Sequence, residues 1–126
     1  MPYLYKIDKE RRLVLGTVSG DFSLADALAI REELAKNHQV DPTYSYVLDF
    51  TQCTKLNFSA GDVQLLAQGG NFPAGVRRAA VVPNNFAYGL GRMYEMLREN
   101  AGDTGLRVFR SLDEALDWVL SKGTGA

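Results

Sequence analysis

Arg77-Arg78-Ala79-Ala80-Val81-Val82-Pro83-Asn84-Asn85-Phe86 runs on into Gly91-Arg92-Met93-Tyr94-Glu95-Met96-Leu97. The first part reads as a short buried strand, Val76 to Val82, and a polar loop; the second reads as an amphipathic helix. A second unit of the same kind follows. Gly105-Leu106-Arg107-Val108-Phe109 is a strand, and Ser111-Leu112-Asp113-Glu114-Ala115-Leu116-Asp117-Trp118-Val119 is a helix with its own cap. Strand–helix units in series predict a sheet covered by helices. Neither unit carries a catalytic signature.

Toward the N-terminus the alternation continues. Tyr3-Leu4-Tyr5-Lys6-Ile7 and Arg12-Leu13-Val14-Leu15-Gly16-Thr17-Val18 flank the polar turn Asp8-Lys9-Glu10-Arg11 and predict an antiparallel hairpin. Gly16, inside the second strand, predicts a bulge or a close backbone approach. Gly20-Asp21-Phe22 breaks the strand pattern, and Ser23 caps a helix running to about Asn37, with Asp26 favoured in its first turn by the helix dipole. Asp41-Pro42 separates that helix from a third strand, Tyr44 to Phe50. A polar loop then leads to a short helix, Ser59 to Ala67, closed by Gly69-Gly70. The order is ββαβαβαβα. Strands joined through helices run parallel with right-handed crossovers, and only the first strand is forced antiparallel by its tight turn. Ser121 to Ala126 reads as a frayed tail.

Composition agrees with one domain over residues 1–126. The chain has 126 residues, 46% of them hydrophobic, enough for one core and too little for two ordinary ones. Lys and Arg number 14 against 15 Asp and Glu, which leaves no electrostatic footprint for nucleic acid or an anionic membrane. The doublets Arg11-Arg12 and Arg77-Arg78 are too small to track phosphates. Cys53 is the only cysteine, so no intrachain disulfide forms and a reducing, cytoplasmic setting is expected. No basic segment followed by an apolar run opens the chain, and polar residues interrupt every apolar stretch before the roughly 18 residues of a spanning helix; neither a signal peptide nor membrane insertion is expected.

Val47-Leu48-Asp49-Phe50-Thr51, then Asn57-Phe58-Ser59-Ala60-Gly61 and Val63-Gln64-Leu65-Leu66, resembles the central signature of STAS domains, the anti-sigma-factor-antagonist fold. In that fold a Leu-Asp strand end is followed by Asp-Ser-Ser-Gly opening a helix. Arg77 to Val82, Gly89 to Tyr94 and Val108 to Trp118 are similar to the SpoIIAA-like family of small, mostly bacterial proteins. The resemblance spans nearly the whole chain through strand and cap patterns rather than chemistry. It implies an α/β fold with a mixed five-stranded sheet and flanking helices, and a binding or regulatory role. In the signalling members a Ser directly after the Asp accepts phosphate and switches partner binding. Here Asn57 stands at the Asp position and Phe58 follows it, so the hydroxyl available to a phosphate is that of Ser59, one step on. A helix N-terminus tolerates a phosphate there. The plainer role for Ser59 is an N-cap, with Asp62 at the third helical position.

Other chemical groups are sparse. His38, the only histidine, follows a helix end and lacks neighbours for a metal site; no metal and no cofactor are expected. Cys53 has no histidine partner and no Cys-x-x-Cys context, and reads as a small buried hydrophobe. Asp49 closes the third strand, where parallel sheets place ligands, but a carboxylate there also serves as an acceptor for loop N–H groups. Gly89-Leu90-Gly91 lies within a helix and is no dinucleotide fingerprint.

Three features stand out from the core pattern. In the first helix Leu24, Ala27, Leu28, Leu34 and Ala35 form an apolar stripe with Arg31 in its middle, so Arg31 must snorkel out, pair with a carboxylate or face a partner. In the helix after Pro83, Phe86, Leu90, Met93 and Leu97 form the expected core stripe. Tyr88, Arg92, Met96 and Glu99 recur on another face, with the aromatic, guanidinium and thioether groups enriched at interfaces. A solvated face with an i,i+4 contact is the alternative. Around the short helix, Leu56, Phe58, Leu65 and Phe72, with Asp49 and Asn57 beside them, suggest a groove or partner surface; the alternative is loops folded back to complete the core.

The expected function is a non-catalytic cytoplasmic regulatory or protein-interaction module of STAS-like type. Its partner is another protein, most simply a second copy docked on Tyr88, Arg92 and Met96. The alternative is a binder or carrier of a small apolar ligand, held between the second and third helices and the sheet. An enzyme ranks third, because no base, nucleophile or metal cluster assembles from these residues.

Overall fold

The computed structural model describes residues 3–69 and 72–121. Its elements are β1 (Tyr3–Asp8), β2 (Leu13–Ser23), α1 (Leu24–Lys36), β3 (Ser45–Asn57), α2 (Ala60–Ala67), β4 (Arg78–Val81), α3 (Asn85–Asn100), β5 (Leu106–Phe109) and α4 (Leu112–Leu120). Strand order in space repeats strand order in sequence, β1-β2-β3-β4-β5. β1 pairs antiparallel with β2, Tyr3 opposite Val18 and Asp8 opposite Leu13, and the remaining neighbours pair in parallel. Right-handed crossovers that always step the same way carry α1, α2 and α3 over one face. α4, following β5, covers the other. Side-chain alternation sorts the core accordingly. Leu13, Val47, Ala79 and Val81 bury against Ala115 and Val119 of α4, while Val18 and Phe22 bury against Ile30 of α1.

Each helix begins on a side-chain cap. Ser23, Ser59, Asn84 and Ser111 accept from N–H groups three residues on, and Ser23–Asp26 and Ser59–Asp62 are complete capping boxes. Arg77 secures the far end of α4, donating from Nη1 to the Trp118 carbonyl at 2.6 Å and to Ser121 Oγ at 2.6 Å. Ser121 is therefore held rather than frayed; residues 122–126 of the expected tail lie outside the described residues.

Two strands run further than their sequence predicts. Gly20-Asp21-Phe22 does not end β2. Gly20 takes a φ of +67°, open to glycine, and the pairing with β3 shifts register between Thr17 and Ser19 and again between Gly20 and Asp21. The break in pattern is a pair of irregularities through which the strand bends and continues to Ser23. β3 follows it to Asn57, so Asp49 lies within a strand and not at its end. Because β4 and β5 span 4 residues each, the far halves of β2 and β3 project past them as a two-stranded ribbon. At Gly16 the close approach is that of a side chain: a Cβ there would lie 2.6 Å from Leu48 Cδ2.

Two helices depart from the expected stripes, α1 slightly and α3 more. On α1 Ala27, Arg31, Leu34 and Ala35 line the inner face as expected, joined by Ile30, while Leu28 is 42% exposed. On α3 the inward residues are Ala87, Leu90, Gly91 and Tyr94, and Phe86 is 62% exposed. The cause on α3 is close approach. A Cβ at Gly91 would lie 2.9 Å from Val108 Cγ2, so the helix rests on β5 through its smallest residue. Gly89 has open space around its missing Cβ. The two glycines are therefore expected to answer oppositely in urea unfolding. Gly89→Ala should stabilise by about 0.5–1 kcal/mol through helix propensity. Gly91→Ala should lose about 1 kcal/mol or more, because the stiff Val108 must be displaced. Equal shifts of the same sign would contradict this packing.

Candidate functional site

On the face covered by α1, α2 and α3 the sheet is not closely packed. A cavity of about 500 Å³, partly open to solvent, lies between the helices and the strands. Its floor is Tyr46, Leu48 and Phe50 of β3, Ala80 of β4 and Val108 of β5; its walls include Ile30 and Leu34 of α1 and Leu90 and Tyr94 of α3. Val63 and Leu66 of α2 close it above. The space follows from the sequence in two ways. Ala80 and Ala87 put small side chains where a filled core would need large ones. In addition, α2 packs chiefly on α1 and α3 rather than on the sheet.

What holds α2 there is a pair of arginines from its neighbours. α2 has no basic residue in its last turn. Arg31 of α1 donates from Nη2 to the Leu66 carbonyl at 2.7 Å, and Arg98 of α3 donates from Nη1 to the carbonyls of Ala67 and Gly69 at 2.9 and 2.7 Å. These are the orphan acceptors of a helix C-terminus, where the dipole favours cations. Arg31 thus meets a main-chain acceptor, which none of the three roles anticipated for it included.

Arg78 forms the polar end of the cavity. It opens β4 beside Tyr46 of β3, and its guanidinium lies over the Phe72 ring, 4.1 Å from the centroid. Its Nη2 donates to Asp103 Oδ1, which also accepts from the Gly105 N–H at 3.1 Å; Arg98 Nε donates to Asp103 Oδ2 at 3.0 Å. Burial pushes the Asp103 carboxyl up. The hydrogen bonds from Arg78, Gly105 and Arg98, with the Arg78 charge, outweigh that and hold it below the usual carboxylate range. Burial also pushes the Tyr46 phenol up, against a smaller opposing pull from the Arg78 charge. Arg78 Nε is buried and, among the described residues, has no hydrogen-bond partner.

The residues singled out from the sequence divide. Leu56, Phe58 and Phe72 line the cavity, with Phe58 stacked on Phe22 at 6.0 Å. Asp49, Asn57 and Leu65 do not line it. Asp49 Oδ1 accepts from the Thr51 N–H and hydroxyl at 2.9 and 2.7 Å, a local structural acceptor. Leu65 is on the outer side of α2, 56% exposed. Asn57 borders a smaller hollow of about 320 Å³ between the ribbon and the start of α3, together with Cys53, Lys55 and Asn84. Burial raises the Cys53 thiol pKa, which disfavours a thiolate nucleophile. The exposed Ser59 hydroxyl accepts from the Asp62 N–H at 3.0 Å. Tyr88 is half-buried under the Arg110 guanidinium, 4.9 Å from the ring centroid; Arg92 is exposed and pairs with Glu95 at 2.5 Å; Met96 is 53% exposed. Arg78 and Tyr46 were not singled out. The available signal was an arginine in register with Ala80 and Val82 on the buried side of a strand.

Among the described residues no group of three or more His, Cys, Asp and Glu is placed to hold a metal ion, and no helix is long and apolar enough to cross a membrane. No family model matches the chain, and no curated protein matches it. Among solved structures it is similar to an uncharacterised protein of the DUF3478 family with a SpoIIAA-like fold, from Shewanella loihica PV-4. The TM-score is 0.55 at 19% identity, and the match covers 93% of each chain. The chain has a SpoIIAA-like fold, as the resemblance implied.

Proposed function

We propose that this SpoIIAA-like fold serves as a non-catalytic binding module for a small apolar ligand, seated between the sheet and α1, α2 and α3. The observation that carries this is the cavity of about 500 Å³ with its predominantly hydrocarbon lining. Protein interiors pack as densely as organic crystals and hold few voids larger than a water. Sites for small molecules are apolar concavities of roughly 300–1,000 Å³ with a few placed polar groups. The sheet strands are added in sequence order, so no crevice opens at a reversal of strand order. The space between sheet and helices is the larger of the two hollows described and has the more apolar lining.

Native mass spectrometry of the purified chain and titration with the neutral dye Nile red test this directly. Retained small-molecule mass or saturable dye binding is expected. Ala80→Leu, which puts a larger side chain into the floor, should weaken dye binding by roughly tenfold or more with no loss of thermal stability. A wild-type chain that neither retains a molecule nor binds the dye would overturn the proposal.

A second role, docking of a second copy, is supported by exposed Arg92 and Met96 on one side of α3, with Met96 53% exposed, although Tyr88 beside them is half-buried under Arg110. Sedimentation should then show a dimer that Arg92→Glu dissociates. A monomer before and after the change would remove self-association.

A further inference from the structure

Among the described residues lining the cavity, the charged ones are Arg31 and Arg78, both positive, and none is a carboxylate. Arg31 spends its contact on a neutral carbonyl, that of Leu66. Arg78 and Arg98 share one carboxylate, Asp103. The cavity is therefore rimmed by an excess of positive charge. Arg78 is 6% exposed, and its Nε–H is a buried donor without a partner among the described residues. A buried donor left unpaired is costly, and an anionic acceptor removes that cost most fully.

The lining is also ordered from end to end. Arg78 opens β4 next to Tyr46, whose hydroxyl is a second donor at the same end. Phe22, Phe50 and Phe58 gather elsewhere along the lining, with Phe22 and Phe50 edge to face at 5.5 Å. One polar, cationic end and a hydrocarbon remainder suit an amphipathic molecule rather than a uniformly apolar one. We infer that the cavity takes a long-chain carboxylate, its head group accepting from Arg78 and its chain lying against Leu48, Val108 and the phenylalanines. The inference rests on the ligand-binding proposal above and adds the chemical class of the ligand.

The test is displacement of Nile red by dodecanoate and by dodecanol, a matched pair that differs only in the head group. Dodecanoate is expected to displace the dye from the wild-type chain at roughly tenfold lower concentration or less, the scale of a charge-assisted hydrogen bond. Arg78→Gln should abolish that preference while leaving dodecanol displacement unchanged. Equal displacement by the two compounds in the wild type overturns the carboxylate assignment and leaves apolar binding standing. Dye binding that neither compound reverses overturns the carboxylate assignment, and absence of dye binding overturns both. A folded Arg78→Gln chain that still prefers dodecanoate also overturns the role of Arg78. Should that variant not fold, the wild-type pair of compounds decides alone.

Discussion

Asp103→Asn is expected to cost about 3–5 kcal/mol of unfolding free energy, because it removes the one carboxylate shared by two buried guanidinia. The side chains of Arg78 and Arg98 are 7% and 9% exposed. With Asp103 neutral, both charges would stay in a site that holds water away from them. The consequence reaches beyond the α3–β5 turn, since Arg98 also carries the Ala67 and Gly69 carbonyls of α2. The pH dependence has a definite sign. The Asp103 pKa is lowered in the folded chain, so its contribution is fully present above the ordinary carboxylate range and is lost as pH falls through the lowered value. Urea unfolding of the wild type and of Asp103→Asn, repeated from pH 7 to pH 3, should give curves that converge toward the acid end. A constant difference across that interval would show that Asp103 acts through something other than its charge.

Leu13→Ala is expected to cost about 2–5 kcal/mol. Leu13 is fully buried on the α4 face, against Val47, Ala115 and Val119. Leu48, on the opposite face, lines the cavity and is only partly buried. The same truncation there should cost clearly less, because a side chain beside open space has fewer contacts to lose. The sheet thus has one face packed for stability and one left loose. Equal losses from Leu13→Ala and Leu48→Ala, measured by thermal or urea unfolding, would contradict that division.

Much of the fold was legible because it rests on local chemistry. Caps at Ser23, Ser59 and Ser111, the tight turn after Asp8 and the strand–helix alternation each act within a few residues, and all stand as read. The misses arise where a distant segment decides. β2 runs through Gly20 because β3 pairs with it on the far side of two register shifts. α3 turns Ala87 and Gly91 inward because Val108 leaves no room for a larger residue, and a wheel ranked by hydrophobicity favours Phe86 instead. The site was harder still. A cavity is made by what side chains fail to fill, and small residues such as Ala80 look in sequence like ordinary core. Arg31 was conspicuous for its place in an apolar stripe, but its acceptor is a main-chain oxygen 35 residues away. No pattern of side chains announces such a partner.

The strands are laid down in order, and among the described helices α4 alone covers the second face of the sheet. On a ribosome the sheet can therefore grow one edge at a time, each new parallel strand docking on the one before it. Leu13, Leu15, Val47, Ala79 and Val81 nevertheless stay uncovered until the last described helix emerges. For most of synthesis the chain carries a wet apolar surface that ends only when Ala115 and Val119 arrive. A holding chaperone has its natural target in that interval, and loss of α4 would expose a broad sticky plane rather than trim an ornament.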